Sequence, residues 1–291
     1  MSSTFFNRNC VVTIGSTTGG LSVQVGSRDA GANFLNKMLR VQFKIHKNKA
    51  STMNTGDLTL YNLTKSTRTK LQEKNAPVTI EAGYIGNIGA IFLGNMTISN
   101  QVKQGADWVS KYAIGTSVQS FKAGRLNKPY PPGTPKSNVI MDLISTLGYG
   151  LGNAEIALTN ALMKGAPNFE KGFAVTGKAS LALDKIIDGI GLEYSVQDGA
   201  IQILEPGSSN QDSSVYIDKS HGLIGNAEQG EDKNKKPVVK VRSLLQATLV
   251  PGRVVVLNSE DASGNFTIES VTHSGDTWGT EWYSDLELLT Y

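Results

Sequence analysis

Three residues near the end of the chain, His273, Ser274 and Asp276, are of the types that form the catalytic triad of a hydrolase. A triad works when a base takes the proton of the nucleophile and a carboxylate orients the base, which requires a defined geometry of the three side chains. Neighbours in one short segment do not create that geometry by adjacency. The sequence instead favours a tight turn at Gly275 and Asp276, with His273 in local hydrogen bonds.

Paired carboxylates are the second kind of chemistry to consider, because a glycosidase uses two of them across a cleft. Asp184, Asp188 and Glu193 are candidates, but a chain with 25 acidic residues contains such pairs by chance. Asp184 and Asp188 are four residues apart in a predicted helix and are expected on its solvated face. We therefore predict that the protein is not an enzyme, with a cell-wall-degrading activity as the alternative.

Metal and cofactor signals are weak. The three histidines, His46, His221 and His273, are widely spaced and match no metal-binding pattern, and the single cysteine, Cys10, excludes an internal disulfide or a cysteine-based zinc site. Residues 15–20 resemble a phosphate-binding loop in their glycines but lack its Lys-Ser/Thr pair. The sequence predicts no metal and no cofactor.

The overall charge argues against a dedicated nucleic-acid-binding domain. Charged residues make up 18% of the 291 residues and the formal net charge is +3, whereas phosphate binding needs a concentrated excess of cations. No segment approaches the roughly 20 apolar residues that cross a bilayer. We expect a protein made in the cytoplasm, without membrane insertion.

One basic run lies in a polar, glycine-rich segment, residues 206–240, for which we predict a long flexible loop. The interpretation favoured by its composition is a solvated loop. Contact with an acidic neighbour or with passing DNA is the alternative, and the residues concerned are Lys233, Lys235, Lys236, Lys240 and Arg242.

Short strands dominate the rest of the chain. Apolar and polar residues alternate in Val41 to Ile45, which places one face inward and the other toward solvent. Helical spacing predicts a surface helix over 66–74, capped by Thr64, one from about residue 138 to 147, and one from 179 or 180 to 190; residues 154–164 are ambiguous. Asp198-Gly199 between alternating runs predicts a hairpin.

The predicted fold class is mainly β with a small α+β part. Clustered prolines after Lys128 mark a composition change, because proline removes strand hydrogen-bond donors. We predict an N-terminal β-domain over 1–127, an α+β domain over 128–205 and a C-terminal β-domain over 206–291 that includes the flexible loop.

Three groups of residues resemble phage baseplate hub proteins, which join a tail tube to its central spike. The first group comprises Leu39 to Ile45, Asn54, Asp57 to Leu63, Thr67, Arg68, Leu71, Val78 to Tyr84 and Ile91 to Gly94. The second comprises Gly172 to Gly177 and Gly191 to Tyr194, followed by the Asp198-Gly199 hairpin. The third comprises Leu244, Leu245, Pro251, Gly252, Arg253 to Leu257, Gly264 to Ile268 and Val271 to Trp278.

This resemblance implies two β-barrel domains like those of tail-tube subunits, flanking the helix-containing insert, and assembly as a homotrimer. Six similar barrels in a trimer match a six-fold tube to a three-fold spike. The implied partners are the tube protein or its initiator, the spike protein and baseplate wedge proteins, with DNA only as passing cargo. The implied location is the virion tail baseplate, and the hub of a phage-derived bacteriocin or secretion spike is an alternative.

Overall fold

The computed structural model describes residues 7–15, 22–26, 39–116, 123–163, 165, 167–210, 213–231 and 237–290, without the side chains of residues 162 and 163. The strands are β1 Arg8–Ile14, β2 Val23–Val25, β3 Val41–Asn48, β4 Thr55–Tyr61, β5 Pro77–Tyr84, β6 Asn87–Gln104, β7 Asp107–Gly115, β8 Arg125–Tyr130, β9 Thr134–Pro135, β10 Asn168–Phe169, β11 Phe173–Lys178, β12 Glu193–Gln197, β13 Ala200–Leu204, β14 Val215–Ile217, β15 Leu223–Glu231, β16 Pro237–Leu244, β17 Val254–Asn258, β18 Ser263–Asp276 and β19 Trp282–Thr290. The helices are α1 Lys65–Lys70, α2 Lys136–Thr146, α3 Ala154–Met163 and α4 Ala179–Asp188.

One large sheet contains strands from both ends of the chain. Its main path is β15-β16-β19-β18-β3-β4-β7-β6-β5-β1-β2, and β17 joins it through β18 and carries β14. Strand β18 is central because it pairs antiparallel with β19, with β17 and with β3. The segments predicted to flank the insert are therefore hydrogen-bonded to each other, and the predicted mainly β fold class is confirmed.

Burial follows the alternation read from the sequence. In β3, Val41, Phe43 and Ile45 are buried, and the residues between them are more exposed. Across the strand pair, Phe43 lies opposite Leu58 of β4, and both side chains enter the same core. Apolar burial of this kind is the main favourable term in forming the sheet.

In the described part of the chain, buried apolar residues form three clusters. The first includes Val12, Ile80 and Phe92 and also takes in Leu245 and Trp282 from the C-terminal segment. The second lies in the insert and the third in the C-terminal segment. The domain boundaries at 127 and 205 remain predictions.

The insert has the predicted α+β arrangement. Helices α2 and α4 bury the apolar stripes read from the sequence, including Val139, Leu143 and Ile187. Strands β12 and β13 form the predicted hairpin, in which Asp198 has φ 50° and Gly199 has φ 82°. Two successive positive φ angles are what a type I′ turn requires.

One helix is shorter than predicted, and one segment that the sequence left ambiguous is helical. Helix α1 ends at Lys70 because the chain turns at Leu71, whose side chain enters the core. The ambiguous segment after residue 153 is helix α3, with Ala154 and Leu158 buried one turn apart.

The predicted loop over 206–240 contains strands β14 and β15. Strand β15 is the edge strand at one end of the main path of the sheet. Among its residues, only Ala227 is buried. An exposed edge strand needs no apolar alternation, so its sequence has the composition of a loop.

Gly275 provides a test of the packing around Phe43 in the first apolar cluster. A Cβ atom at this position would lie 2.2 Å from Cζ of Phe43, whose ring packs edge-on against Trp282 at 5.6 Å between centroids. We expect Gly275→Ala to lower the free energy of unfolding by about 1–3 kcal/mol through overpacking. Chemical denaturation measures the loss.

Gly150→Ala is the matched control, since a Cβ there meets its nearest neighbour at an ordinary 3.5 Å. Equal stability losses in the two variants would contradict the proposed close contact.

Candidate assembly surface and the contacts that position it

The strand register of the central sheet defines one of its two faces, which we call the outer face, and some residues of that face, including Val109, Ser270, Ser274 and Asp276, are buried. Residues directly opposite each other in antiparallel strands share a face, so the pairing from β16 to β6 identifies the members of this outer face. They are Lys240, Arg242, Leu244, Tyr283, Asp285, Glu287, Ser270, Thr272, Ser274, Asp276, Gln42, Lys44, His46, Asn48, Thr55, Asp57, Thr59, Tyr61, Asp107, Val109, Lys111, Ala113, Gly115, Asn95, Ile98, Asn100, Val102 and Gln104.

Charges on the outer face are nearly balanced. Its basic members are Lys44, Lys111, Lys240 and Arg242, and its acidic members are Asp57, Asp107, Asp276, Asp285 and Glu287. Arg242 Nε is 2.6 Å from Asp285 Oδ1, and the guanidinium lies over the Tyr283 ring. Without an excess of cations, this face is not built to hold a polyanion.

Asp276 fixes one end of the β3–β18 pair. Its carboxylate accepts hydrogen bonds from Arg40 at 2.6 and 3.1 Å, from Gln42 Nε2 at 2.8 Å and from the Trp278 backbone N–H at 3.0 Å. Burial opposes ionisation, but these donors outweigh it and lower the pKa of Asp276 to about 2. Thr277 adds a hydrogen bond from the Val41 N–H to its Oγ1 at 2.9 Å.

His273 points to the opposite side of the strand and is fully buried. Its Nδ1 is 2.8 Å from Ser284 Oγ. Burial, followed by the nearby charge of Lys47, lowers the pKa of His273 to about 3. The imidazole is therefore neutral over the physiological pH range.

The triplet that opened the sequence analysis forms no triad. His273 faces the interior, whereas Ser274 and Asp276 lie on the outer face, because alternate strand residues point in opposite directions. The turn predicted at Gly275 and Asp276 was wrong, since β18 continues through Asp276. The alternation of inward and outward residues is present in this part of β18, but glycine and aspartate are typical of turns and led to the wrong prediction.

Lys47 connects the sheet to the insert. Its side chain is 1% exposed, and its Nζ lies 2.7 and 2.8 Å from the two carboxylate oxygens of Asp198 at the hairpin turn. Asn54 donates to the Val196 carbonyl at 2.9 Å, and Gln197 donates to the Asn48 carbonyl at 2.7 Å. Sequence reasoning missed this clamp, although Lys47 continues the inward positions Val41, Phe43 and Ile45.

The β6–β7 hairpin extends the outer face and presents apolar side chains. Ile98 is 65% exposed and Val102 is also exposed on this side. On the other side, Arg68 of α1 lies 3.8 Å from the Trp108 ring centroid, and Gln101 donates to the Arg68 carbonyl at 2.7 Å. One side of the hairpin is therefore held in place, and the apolar side is uncovered.

The basic residues predicted as a contact loop fall into two groups. Lys233, Lys235 and Lys236 lie outside the described residues. Lys240 and Arg242 lie in strand β16, not in a loop. Their proposed contact with a partner stays a prediction, and Arg242 already pairs with Asp285.

The candidate carboxylates Asp184, Asp188 and Glu193 line one cleft of about 330 Å³, together with Tyr194 and Glu269. The Asp184 carboxylate is already engaged in the protein, because it accepts a hydrogen bond from the Tyr194 hydroxyl. Burial raises the pKa of Tyr194, and the Asp184 carboxylate raises it further. In the described parts of the chain, no group of three or more His, Cys, Asp or Glu side chains is arranged to hold a metal ion.

Among the described residues, no helix combines the length and apolar character needed to span a membrane.

Comparison with known proteins gives matches in structure only. No model of a known protein family matches the chain, and no curated protein matches its sequence. The 43 kDa tail protein of prophage MuSo2 from Shewanella oneidensis superposes with a TM-score of 0.64 at 8% identity, covering 97% of both chains. A tail protein from Neisseria meningitidis MC58 gives 0.60 at 8% identity, covering 97% of this chain and 96% of that chain.

A type VI secretion system component from E. coli also matches, with a TM-score of 0.58 at 10% identity over 87% of this chain and 73% of that chain. That protein is described as similar in structure to T4 bacteriophage tail proteins. The chain thus has the fold of phage tail proteins over nearly its whole length, which confirms the resemblance to baseplate hub proteins at the level of the fold.

Removing the charge of Asp198 tests the clamp between sheet and insert. Asn tolerates the positive φ of this position, so Asp198→Asn keeps the turn and leaves the Lys47 ammonium without its carboxylate. We expect a loss of about 2 kcal/mol in the free energy of unfolding, measured by chemical denaturation.

The double variant Lys47→Met/Asp198→Asn is the control, and it should recover part of that loss because no buried charge remains. An unchanged stability in Asp198→Asn would show that the ion pair contributes nothing.

The buried His273 predicts a pH dependence. Its ordinary pKa of 6.5 applies to the unfolded chain and a pKa of about 3 to the folded chain, so only the unfolded state binds this proton between those values. The contribution of the neutral, buried His273 to the free energy of unfolding is therefore complete above pH 6.5. It is lost as the pH falls toward 3, and the free energy of unfolding then decreases by up to about 1.4 kcal/mol per pH unit. His273→Gln should remove this component from denaturation curves measured between pH 7 and pH 4, and an unchanged slope would contradict the assignment.

Proposed function

We propose that this protein is a structural component of a phage tail baseplate, a hub that forms a trimeric ring between the tail tube and the central spike. The observation that carries the proposal is the single sheet that joins β3 to β18 and so unites the two β-rich segments. Such a sheet places the strands of both segments in one continuous wall. The fold shared with two phage tail proteins supports the same role.

A ring needs a surface that recurs identically in each subunit, and head-to-tail contacts of one surface with another close into a ring when the rotation allows. The uncovered apolar side of the β6–β7 hairpin is suited to such a contact, because solvent-exposed Ile98 and Val102 both point to this side, with Asn100 between them. We assign this side of the hairpin to the subunit interface.

The part of the outer face on β16, β19, β18, β3 and β4, outside the β6–β7 hairpin, is suited to line the lumen. It carries no excess of cations and Arg242 is paired with Asp285, so DNA passing through would meet little attraction. In this role DNA is cargo and not a bound ligand. The tube protein, the spike protein and the wedge proteins would be the partners, and the virion tail would be the location.

A secretion-spike hub is the second candidate, favoured by the structural match to a type VI secretion system component. The ring geometry would be the same in that particle. The neighbouring genes distinguish the two, since a phage tail requires capsid and tail genes and a secretion spike does not.

Ring formation is tested by single-particle imaging of the purified protein at micromolar concentration, alone and with the tube and spike proteins encoded beside it. We expect a closed three-fold ring with a central opening. Hydrogen exchange should show that the amides of residues 97–104 gain protection when the ring forms, because the interface buries them.

Ile98→Lys should abolish the ring without unfolding the subunit. Ile156→Lys is the matched control: Ile156 is 62% exposed, close to the 65% of Ile98, but lies on α3 of the insert. Rings in Ile98→Lys would refute the assigned interface, and monomers under every condition would refute the hub.

The proposed role is not enzymatic, and we expect no turnover when the purified protein is incubated with cell-wall polysaccharide. Turnover that is lost in Asp184→Ala and Glu193→Ala would instead establish the cell-wall-degrading alternative, since both residues line the same cleft.

A further inference from the structure

A groove on the insert lies between helix α4 and strand β11 and has a volume of about 530 Å³. Its floor is apolar. Phe169 and Phe173 stack with ring centroids 4.4 Å apart, Val175 and Ile186 lie between strand and helix, and Leu181 is 57% exposed. A groove lined by an exposed leucine and a pair of stacked rings is a surface that association would bury favourably.

The rim of the groove is basic. Lys136, Lys178 and Lys185 line it, and the lining residues include no aspartate or glutamate. Lys136 Nζ lies 5.9 Å from the Phe169 ring centroid. Within the described part of the chain, none of the three lysines forms an ion pair with a carboxylate. The groove is thus complementary to negative charge, in contrast to the nearly balanced outer face of the sheet.

Strand β11 presents an edge to this groove. It pairs with β8, and that sheet has only these two strands among the described residues. Four consecutive residues of β11, Phe173 to Thr176, line the groove. Because successive side chains of a strand point to opposite faces, a consecutive run of lining residues means that the edge of the strand faces the groove. Edge strands carry backbone N–H and C=O groups that a further strand can pair with.

We propose that this groove binds an extended acidic segment of another protein, which adds as a strand beside β11. Carboxylates of the segment would meet Lys178 and Lys185, and its apolar residues would cover Phe173 and Leu181. Backbone pairing supplies affinity in this mode, and the side-chain pockets and charges supply specificity. The groove lies on the insert and its occupancy does not depend on ring formation.

The test uses a fluorescein-labelled, capped peptide of about six residues, the usual length of a strand, in which glutamate alternates with valine. Fluorescence anisotropy at low ionic strength measures its binding to the full chain. One control peptide has lysine in place of glutamate. A second keeps the glutamates but has proline in place of the central valine, which removes a backbone donor.

The variant Lys178→Glu/Lys185→Glu should bind the acidic peptide about tenfold more weakly than the wild type, because two attractive charges become repulsive. Lys103→Glu/Lys111→Glu is the matched control, since it changes the net charge equally but on the β6–β7 hairpin. It should bind the peptide as the wild type does. Leu181→Ala, which leaves every charge in place, should also weaken binding.

Preferential binding of the acidic peptide, lost in the groove variant and weakened by proline, supports the proposal. Equal binding of the acidic and lysine peptides, or no binding of either, overturns it, and equal binding of the proline peptide overturns the strand addition. Sedimentation that shows self-association of the wild type but not of Lys178→Glu/Lys185→Glu would assign the groove to a second copy of the chain and would also overturn it.

Discussion

The antiparallel pairing of β3 with β18 is the constraint on which the rest of the structure depends. Gln42 and Asp276, which face each other at one end of this pair, are 234 residues apart in the chain. Closing so long a loop costs conformational entropy, which buried contacts must offset. Phe43 and Ile45 on one strand and Val271 and His273 on the other contribute buried side chains, and the Arg40–Asp276 ion pair fixes the end.

The insert depends on the same pairing through register. A shift of β3 by one residue would turn Lys44 and His46 inward and would move Lys47 away from Asp198. The insert would then lose its ion pair to the sheet and the hydrogen bonds of Asn54 and Gln197. A buried lysine is costly without its carboxylate, so the ion pair selects one register and one position of the insert.

The proposed function depends on surfaces of different character that the fold keeps apart. The outer face of the sheet is polar and nearly balanced in charge, one side of the β6–β7 hairpin is apolar, and the groove on the insert is apolar with a basic rim. In the proposed hub, the nearly balanced face would allow passage of DNA, the apolar side would contact a neighbouring subunit, and the basic groove would select an acidic partner. This division would let the protein hold several neighbours without competition between them.

The amino-acid sequence by itself determined the elements whose signals are local. The alternation of Val41 to Ile45, the apolar stripes of α2 and α4 and the Asp198-Gly199 turn each lie within a few residues, and all were predicted correctly. Strand β15 was missed because an exposed edge carries no apolar pattern, and the turn at Gly275 was predicted wrongly because glycine there makes room for Phe43. Only the tertiary structure decided the β3–β18 pairing, the Lys47–Asp198 ion pair and the groove beside β11, because each joins residues that are distant in sequence or depends on a strand edge left unpaired.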